Sequence, residues 1–246
     1  MESLVTKYFD TAIALLQKVL QESGPAIEQA AQAVADAIAN DKDFLTFGSG
    51  HSDLIAREAM WRAGGLAPAL AIDDPTGGDA ERIEGMAKLI LGHYTLRAGS
   101  VIVVISNSGI NPVPVETAMI CKEAGLTVVA ITNLAHSQAV PARHSSGKKL
   151  YEVANIVIDT HGQRGDTALT LPNSALQTGP TSTLIGVAIM DAITAQAAAL
   201  LLEQGVEPPV LVSANVPEGD AHNAQLKAKY MSRLARFPID VADMTG

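Results

Sequence analysis

Hydrophobic positions recur along this chain in two periods, and their alternation sets the architecture. Over residues 4–21 the apolar side chains Leu4, Phe9, Ala12, Ile13, Leu16, Val19 and Leu20 fall at helical spacing. Glu22-Ser23-Gly24-Pro25 then reads as a stop and a restart, and a second helix is predicted over 26–39, with Ile27, Ala30, Val34 and Ile38 on one face. From there short apolar runs take over. Residues 43–47, 66–72, 101–105, 127–131 and 155–159 read as strands. The clearest is Val101-Ile102-Val103-Val104-Ile105, five consecutive β-branched residues that run into Ser106-Asn107-Ser108-Gly109. Such a run, closed by turn chemistry, marks a strand buried on both faces of a parallel sheet.

Helical patterns separate the strands, over about 53–63, 83–91 and 115–124, and a strongly apolar helix spans 181–203. That last helix is apolar nearly all round and is predicted to be buried. Residues 134–149 read as loop, as does the Gly- and Asp-containing stretch after the fifth strand. Residues 76–99, with Gly77-Gly78 ahead of the short helix, read either as a lid over a site or as an ordinary surface excursion. The tail carries a candidate short strand at 210–212, a polar stretch at 215–223 and a final helix before Phe237-Pro238. Strands alternating with helices predict an α/β fold with a parallel sheet, whose ligands bind beyond the carboxyl ends of the strands at a switch in strand order.

Composition narrows the partners. The 246 residues suit one large domain, and an apolar share of 48% provides a core built from aliphatics, because aromatics supply only 4%. A net charge of -9 argues against nucleic acid, whose phosphates need an excess of Lys and Arg. The single cysteine, Cys121, forms no intramolecular disulfide and suits a reducing compartment. Glu2 and Asp10 do not suit a signal peptide, and the 192–202 apolar run falls short of membrane-spanning length. The expectation is a soluble cytoplasmic protein with neither nucleic acid nor membrane as partner.

Three hydroxyl clusters lie where such a sheet binds anions. Gly48-Ser49-Gly50-His51-Ser52 follows the first strand, Ser106-Asn107-Ser108-Gly109 follows the third, and Thr181-Ser182-Thr183 opens the apolar helix. Strand ends facing helix N-termini collect free N–H groups and the positive end of a helix dipole, which suits a phosphate. Taken alone, the Thr181-Ser182-Thr183 cluster reads better as a helix cap. The dinucleotide reading fails a direct test: its fingerprint needs Gly or Ala where this chain has Asp53, although Asp73 stands at roughly the expected distance. Six scattered histidines without paired spacing make no case for a metal. No cofactor is expected.

With the first loop read from Phe47, with Ile105 leading into the second, and with Ala130-Ile131-Thr132-Asn133 after the fourth strand, the chain resembles the sugar isomerase (SIS) domain family. The resemblance implies a flavodoxin-like three-layer sandwich with a five-stranded parallel sheet and extra N-terminal helices. It implies one domain over 1–246, with N-terminal helices at 1–40, the sheet core at 41–205 and a C-terminal extension at 206–246. It also implies a phosphosugar ligand, with Ser52, Ser106 and Ser108 matching the family's phosphate-binding hydroxyls and Asn107 and Gly109 shaping the loop. Gly50 and the Thr181-Ser182-Thr183 cluster join them as binding candidates. A homodimer or homotetramer with sites near the subunit interface follows from the same resemblance.

An isomerase or lyase acting on an aldose- or amino-sugar phosphate needs groups that move protons. In two enzyme branches of the family a catalytic glutamate lies on the helix after the first loop. Here Arg62 falls at that place, and Glu58 is the nearest acid, one turn away. The candidates are Glu58, His51 and His222, with Glu116 better read as a carboxylate favouring the dipole of its helix. His222 lies in Glu218-Gly219-Asp220-Ala221-His222-Asn223, a polar cluster placed either over the site or as a turn capping the last helix. Trp61 reads as core or interface. The alternative to an enzyme is a non-catalytic sugar-phosphate sensor working through protein contacts.

Overall fold

Steric preference of β-branched residues for extended backbone makes Val101–Ile105 a strand, and burial of all five residues makes it the middle of a sheet. The computed structural model describes residues 3–234. The elements are α1 (Leu4–Ala39), β1 (Phe44–Gly48), α2 (His51–Glu58), β2 (Ala69–Ile72), α3 (Met86–Leu91), β3 (Val101–Ile105), α4 (Pro112–Glu123) and β4 (Thr127–Thr132). They continue with α5 (Leu134–Ala139), α6 (Leu150–Val153), β5 (Ile156–Asp159), β6 (Leu169–Thr170), β7 (Gln177–Thr178), α7 (Ser182–Glu203) and α8 (Gly219–Leu234).

Five strands pair in parallel in the order β2-β1-β3-β4-β5. Gly48 pairs with Ile105 and Ile105 with Ile131, so the carboxyl ends of the three central strands lie level. Alternation of side chains across the pleat divides the core in two. Val101, Val103 and Ile105 join one apolar cluster with residues of α1, α2 and α7; Ile102 and Val104 join the other with residues of α3, α4 and α6. This is the expected three-layer α/β sandwich. The order reverses between β1 and β3, and the switch point lies there.

Several expectations are corrected. α1 is a single helix, with Pro25 inside it. Pro25 has no N–H to donate to the preceding turn, a defect of about 3 kcal/mol. Burial of Val19, Val34 and Ile38 with the flanking alanines against α7 and the sheet outweighs it, at roughly 1.5–3 kcal/mol for each large aliphatic. Ser23 anchors the middle of the helix by donating to the Asp159 carbonyl at 2.9 Å.

α7 is buried on one side only. Ile185, Ile189, Met190, Ile193, Ala197 and Leu201 face the core, while Leu184 and Leu202 are exposed. It is also, at 22 residues, long and apolar enough to cross a membrane, against the expectation that no segment was. In the fold its inner face packs on α1, α2 and the sheet. Residues 134–149 contain α5, and the stretch after β5 contains the β6–β7 hairpin; both were expected as loop. The short strand expected at 210–212 is a single bridge between Val210 and Leu66. The final helix is α8, while Phe237-Pro238 lies outside the described residues.

Candidate functional site

A cleft of ≈ 390 Å³ opens at the carboxyl ends of β1 and β3, lined by Ser49, Gly50, His51 and Ser52 from the first loop and by Ser106, Asn107 and Ser108 from the second. Glu81, Pro114, His136, Gly165, Asp166 and Ser182 complete its walls.

The first loop is tight because Gly48 permits it. A Cβ at Gly48 would lie 2.4 Å from the backbone carbon and oxygen of Ser52, so only glycine lets α2 start directly on the end of β1. Gly50, with φ of 57°, is the N-cap of α2 and brings no side-chain cap. The N–H groups of Ser52 and Asp53 turn back to Ser49 and Gly50. Those of Gly50 and His51 have no protein acceptor among the described residues, and the buried Ser49 hydroxyl has no partner.

The second loop is pinned from three sides. Ser106 N–H extends the sheet to the Ile131 carbonyl at 3.1 Å, and Ser106 Oγ accepts from Gly109 N–H at 3.1 Å, leaving its own proton to donate. Asn107 carbonyl accepts from Asn133 N–H, while buried Asn107 Oδ1 has no partner among the described residues. Gly109 has φ of 62°, and a Cβ there would stand 2.7 Å from Thr132 Oγ1. Donors free to meet a ligand here belong to the loop itself. The start of α4 contributes none of the N–H groups expected of it: Pro112 and Pro114 have none, and Val113 N–H goes to the Glu81 carbonyl at 3.1 Å.

The 76–85 segment reaches the cleft through Glu81. A Cβ on Gly78 would be 2.9 Å from the backbone of Gly50, so this segment packs directly on the first loop. Asp166, also in the lining, closes the N-terminus of α7. Its carboxylate accepts from Thr181 N–H at 3.0 Å, Ser182 N–H at 2.9 Å and Ser182 Oγ at 2.6 Å. One acid and one base in the cleft are perturbed in opposite senses. Burial lifts Glu81 above the usual carboxylate range, against the pull of Arg82 and Arg143. Burial, then the charges of Arg164 and Arg143, pushes the His136 imidazole below its usual value, and buried His136 Nδ1 has no partner among the described residues.

Of the residues singled out in the sequence, Gly50, His51, Ser52, Ser106, Asn107, Ser108 and Ser182 meet in this cleft, and Gly109 shapes the loop beneath it. Thr181 and Thr183 flank Ser182 without lining the cleft. Glu58 does not line it either: it pairs with Arg62, which also lies 3.8 Å from Asp191. His222 is on α8, its Nε2 2.8 Å from the Val210 carbonyl, and neighbouring Asn223 bonds both backbone groups of Val212. The polar cluster therefore docks the tail, against an apolar patch of Trp61, Ala67, Leu211 and Tyr230. Glu116 lies in the second turn of α4, beyond the expected first turn, and accepts from Gly85 N–H at 2.7 Å. Arg57 bridges Asp53 and Asp73, so the acid that a dinucleotide ribose would need is already paired.

Glu81, His136 and Asp166 escaped sequence reasoning, while Ser49 was legible only as a member of the first hydroxyl cluster. Each sits in a segment read as loop, where nothing periodic reports which way a side chain turns. Two further groups carry chemistry-bearing residues without a site. Ser23 Oγ, His161 and Asp159 have the connectivity of a nucleophile, base and orienting acid at 3.0 and 3.2 Å, but Ser23 is 4% exposed and donates its proton to the Asp159 carbonyl. Glu84, Glu116 and His144 offer ligand atoms within 4.8 Å of one another, the one such group among the described residues. Both Glu84 oxygens accept from Ser145, Glu116 Oε1 accepts from Gly85 N–H and His144 Nδ1 lies with Ser146, while Glu116 Oε2 is buried without a partner among the described residues.

Comparison with known proteins agrees with this architecture. The SIS domain family model matches residues 7–133. A UPF0309 protein of Geobacillus kaustophilus is 38% identical over 240 residues, covering 94% of this chain and 96% of the relative. A UPF0309 protein of Streptomyces coelicolor is 38% identical over 239 residues, covering 93% and 95%. Among solved structures, phosphoheptose isomerase GmhA from Neisseria gonorrhoeae superimposes with a TM-score of 0.54 at 19% identity, over 79% of this chain and 97% of that one. A phosphoheptose isomerase from Francisella tularensis gives 0.53 at 20% identity, over 79% and 99%. At these identities the structural likeness speaks for the fold.

Proposed function

Because this chain belongs to the SIS domain family, we propose that it binds a phosphorylated sugar in the β1–β3 cleft and acts there as an isomerase or lyase on an aldose- or amino-sugar phosphate. One observation carries the reading: two glycine-dependent loops bring Ser52, Ser106 and Ser108 to a single cleft at the switch point, with unpaired N–H groups on Gly50 and His51. Such groups bind a phosphate through hydrogen bonds and fixed dipoles, and need no net positive charge on the protein. Asn107 and Gly109 hold the second loop in shape, and Ser182 adds a hydroxyl from the third cluster, beside Thr181 and Thr183.

A thermal-shift comparison of sugar phosphates with their unphosphorylated sugars tests the reading. A ligand at one hundred times its dissociation constant stabilises by about 2.7 kcal/mol, or roughly 5–10 °C for a chain of this size. The same response to phosphorylated and plain sugars would sink it. A second reading, a non-catalytic sensor, draws support from Glu58 and His222, whose side chains are engaged outside the cleft. Binding of a sugar phosphate without turnover would favour it.

The proposal extends to assembly and compartment. Val5, Phe9, Ile13 and Leu20, spaced along α1, are 51–72% exposed, which supports a homodimer or homotetramer. Sedimentation is expected to show it, and a monomer at micromolar concentration refutes it. Cys121, buried and unpaired, fits the reducing cytoplasm.

A further inference from the structure

Four titratable side chains line the cleft: His51, Glu81, His136 and Asp166. Asp166 spends its carboxylate on three hydrogen bonds at the start of α7. His51 is exposed on the first turn of α2, beside the N–H groups that suit the phosphate. Glu81 and His136 remain. Glu81 is held by its backbone carbonyl, which receives Val113 N–H, while its carboxylate has no hydrogen-bond or ion-pair partner among the described residues. His136 sits on α5 with its N–H capped by the Asn133 side chain at 3.0 Å, and its ring nitrogen Nδ1 is buried without a partner among the described residues.

Resting on the phosphosugar reading above, we propose that Glu81 and His136 are the catalytic acid–base pair of this cleft, in place of Glu58 and His222. The environment supports the division of labour, since burial raises the carboxyl toward neutral pH, where taking and returning a proton is efficient, and lowers the imidazole, which keeps the ring neutral as a donor. In an aldose–ketose conversion, Glu81 carboxylate takes the C2 proton of the open-chain sugar. The C–H electron pair forms the C1–C2 double bond, the carbonyl pair moves to O1, and O1 takes a proton from neutral His136. The ring then recovers a proton from O2, and Glu81 returns its proton to C1. One hydrogen has moved from C2 to C1, one from O2 to O1, and no oxidant is consumed. An elimination begins with loss of the same proton, so the pair serves either outcome.

The test is hydrogen exchange in D₂O with glucose 6-phosphate, glucosamine 6-phosphate, ribose 5-phosphate and arabinose 5-phosphate as probes, read by NMR at the carbon beside the carbonyl, alongside binding by calorimetry. The wild-type protein should bind at least one probe and exchange its proton. Glu81→Gln should lose exchange by about 10²-fold or more with the dissociation constant nearly unchanged, and His136→Asn should lose about 10-fold or more. Glu81→Asp, which keeps a carboxylate, should recover part of the rate. Exchange in Glu81→Gln comparable to wild type overturns the assignment, and so does binding without exchange in the wild-type protein; both leave the phosphosugar reading standing. Failure of every probe to bind overturns that reading, and this assignment with it.

Discussion

Replacing Asp166 by alanine removes a carboxylate that accepts three hydrogen bonds at the head of a 22-residue helix. Losing a side-chain cap costs about 1–2 kcal/mol. Asp166 also sits at φ of 57°, a left-handed conformation that Asp tolerates better than alanine, adding about 0.5–1 kcal/mol. The half-buried site allows water to replace part of what is lost, so the total should fall near 2 kcal/mol. For a chain of this length that corresponds to roughly 4–8 °C in Tm. Asp166→Asn is the internal control. Its carbonyl oxygen can still accept from both Thr181 and Ser182 N–H, and Asn tolerates the left-handed backbone, so it should lose less than half as much. Thermal and urea denaturation of the two variants supply the measurement. An alanine variant within about 0.5 kcal/mol of wild type, or an asparagine variant as damaged as alanine, refutes the capping account.

Gly48→Ala forces a Cβ to within 2.4 Å of the Ser52 backbone, so α2 must move off the end of β1; the variant should lose more than about 2 kcal/mol in urea denaturation along with sugar-phosphate binding, and an unchanged midpoint counts against the close packing described here. Cys121 is wholly buried and its thiol is pushed up to about 12, so iodoacetamide at neutral pH should label only unfolded protein, and rapid labelling of native protein would contradict the fold. Glu81 holds its proton to higher pH in the native chain than in the unfolded one, so its contribution is complete in acid and is lost as pH rises through its native value. Glu81→Gln should therefore be more stable than wild type at pH 7, with the gap closing as pH falls through the carboxylate range; denaturation at a series of pH values reads this directly, and a gap that widens in acid has the wrong sign.

The sheet and the two loops that line the cleft are legible in local sequence. A period of two or three to four residues, the β-branched run at 101–105 and the glycines at 48 and 109 are local signals, and each specifies conformation within a few residues of itself. Parallel strands joined by helices then leave little choice of topology, so the switch point between β1 and β3 follows. The rest depends on contacts between residues far apart in the chain. Gly24-Pro25 is a local stop signal, overruled because α7 and the sheet bury that helix and Asp159 accepts a bond from Ser23, 136 positions away. The helix expected to supply N–H groups to the phosphate supplies none, because its prolines and a loop carbonyl use up the first turn. Glu81, His136 and Asp166 enter the cleft from three separate connections. Loop direction is set by the surfaces a loop lands on, and no period along the chain encodes it.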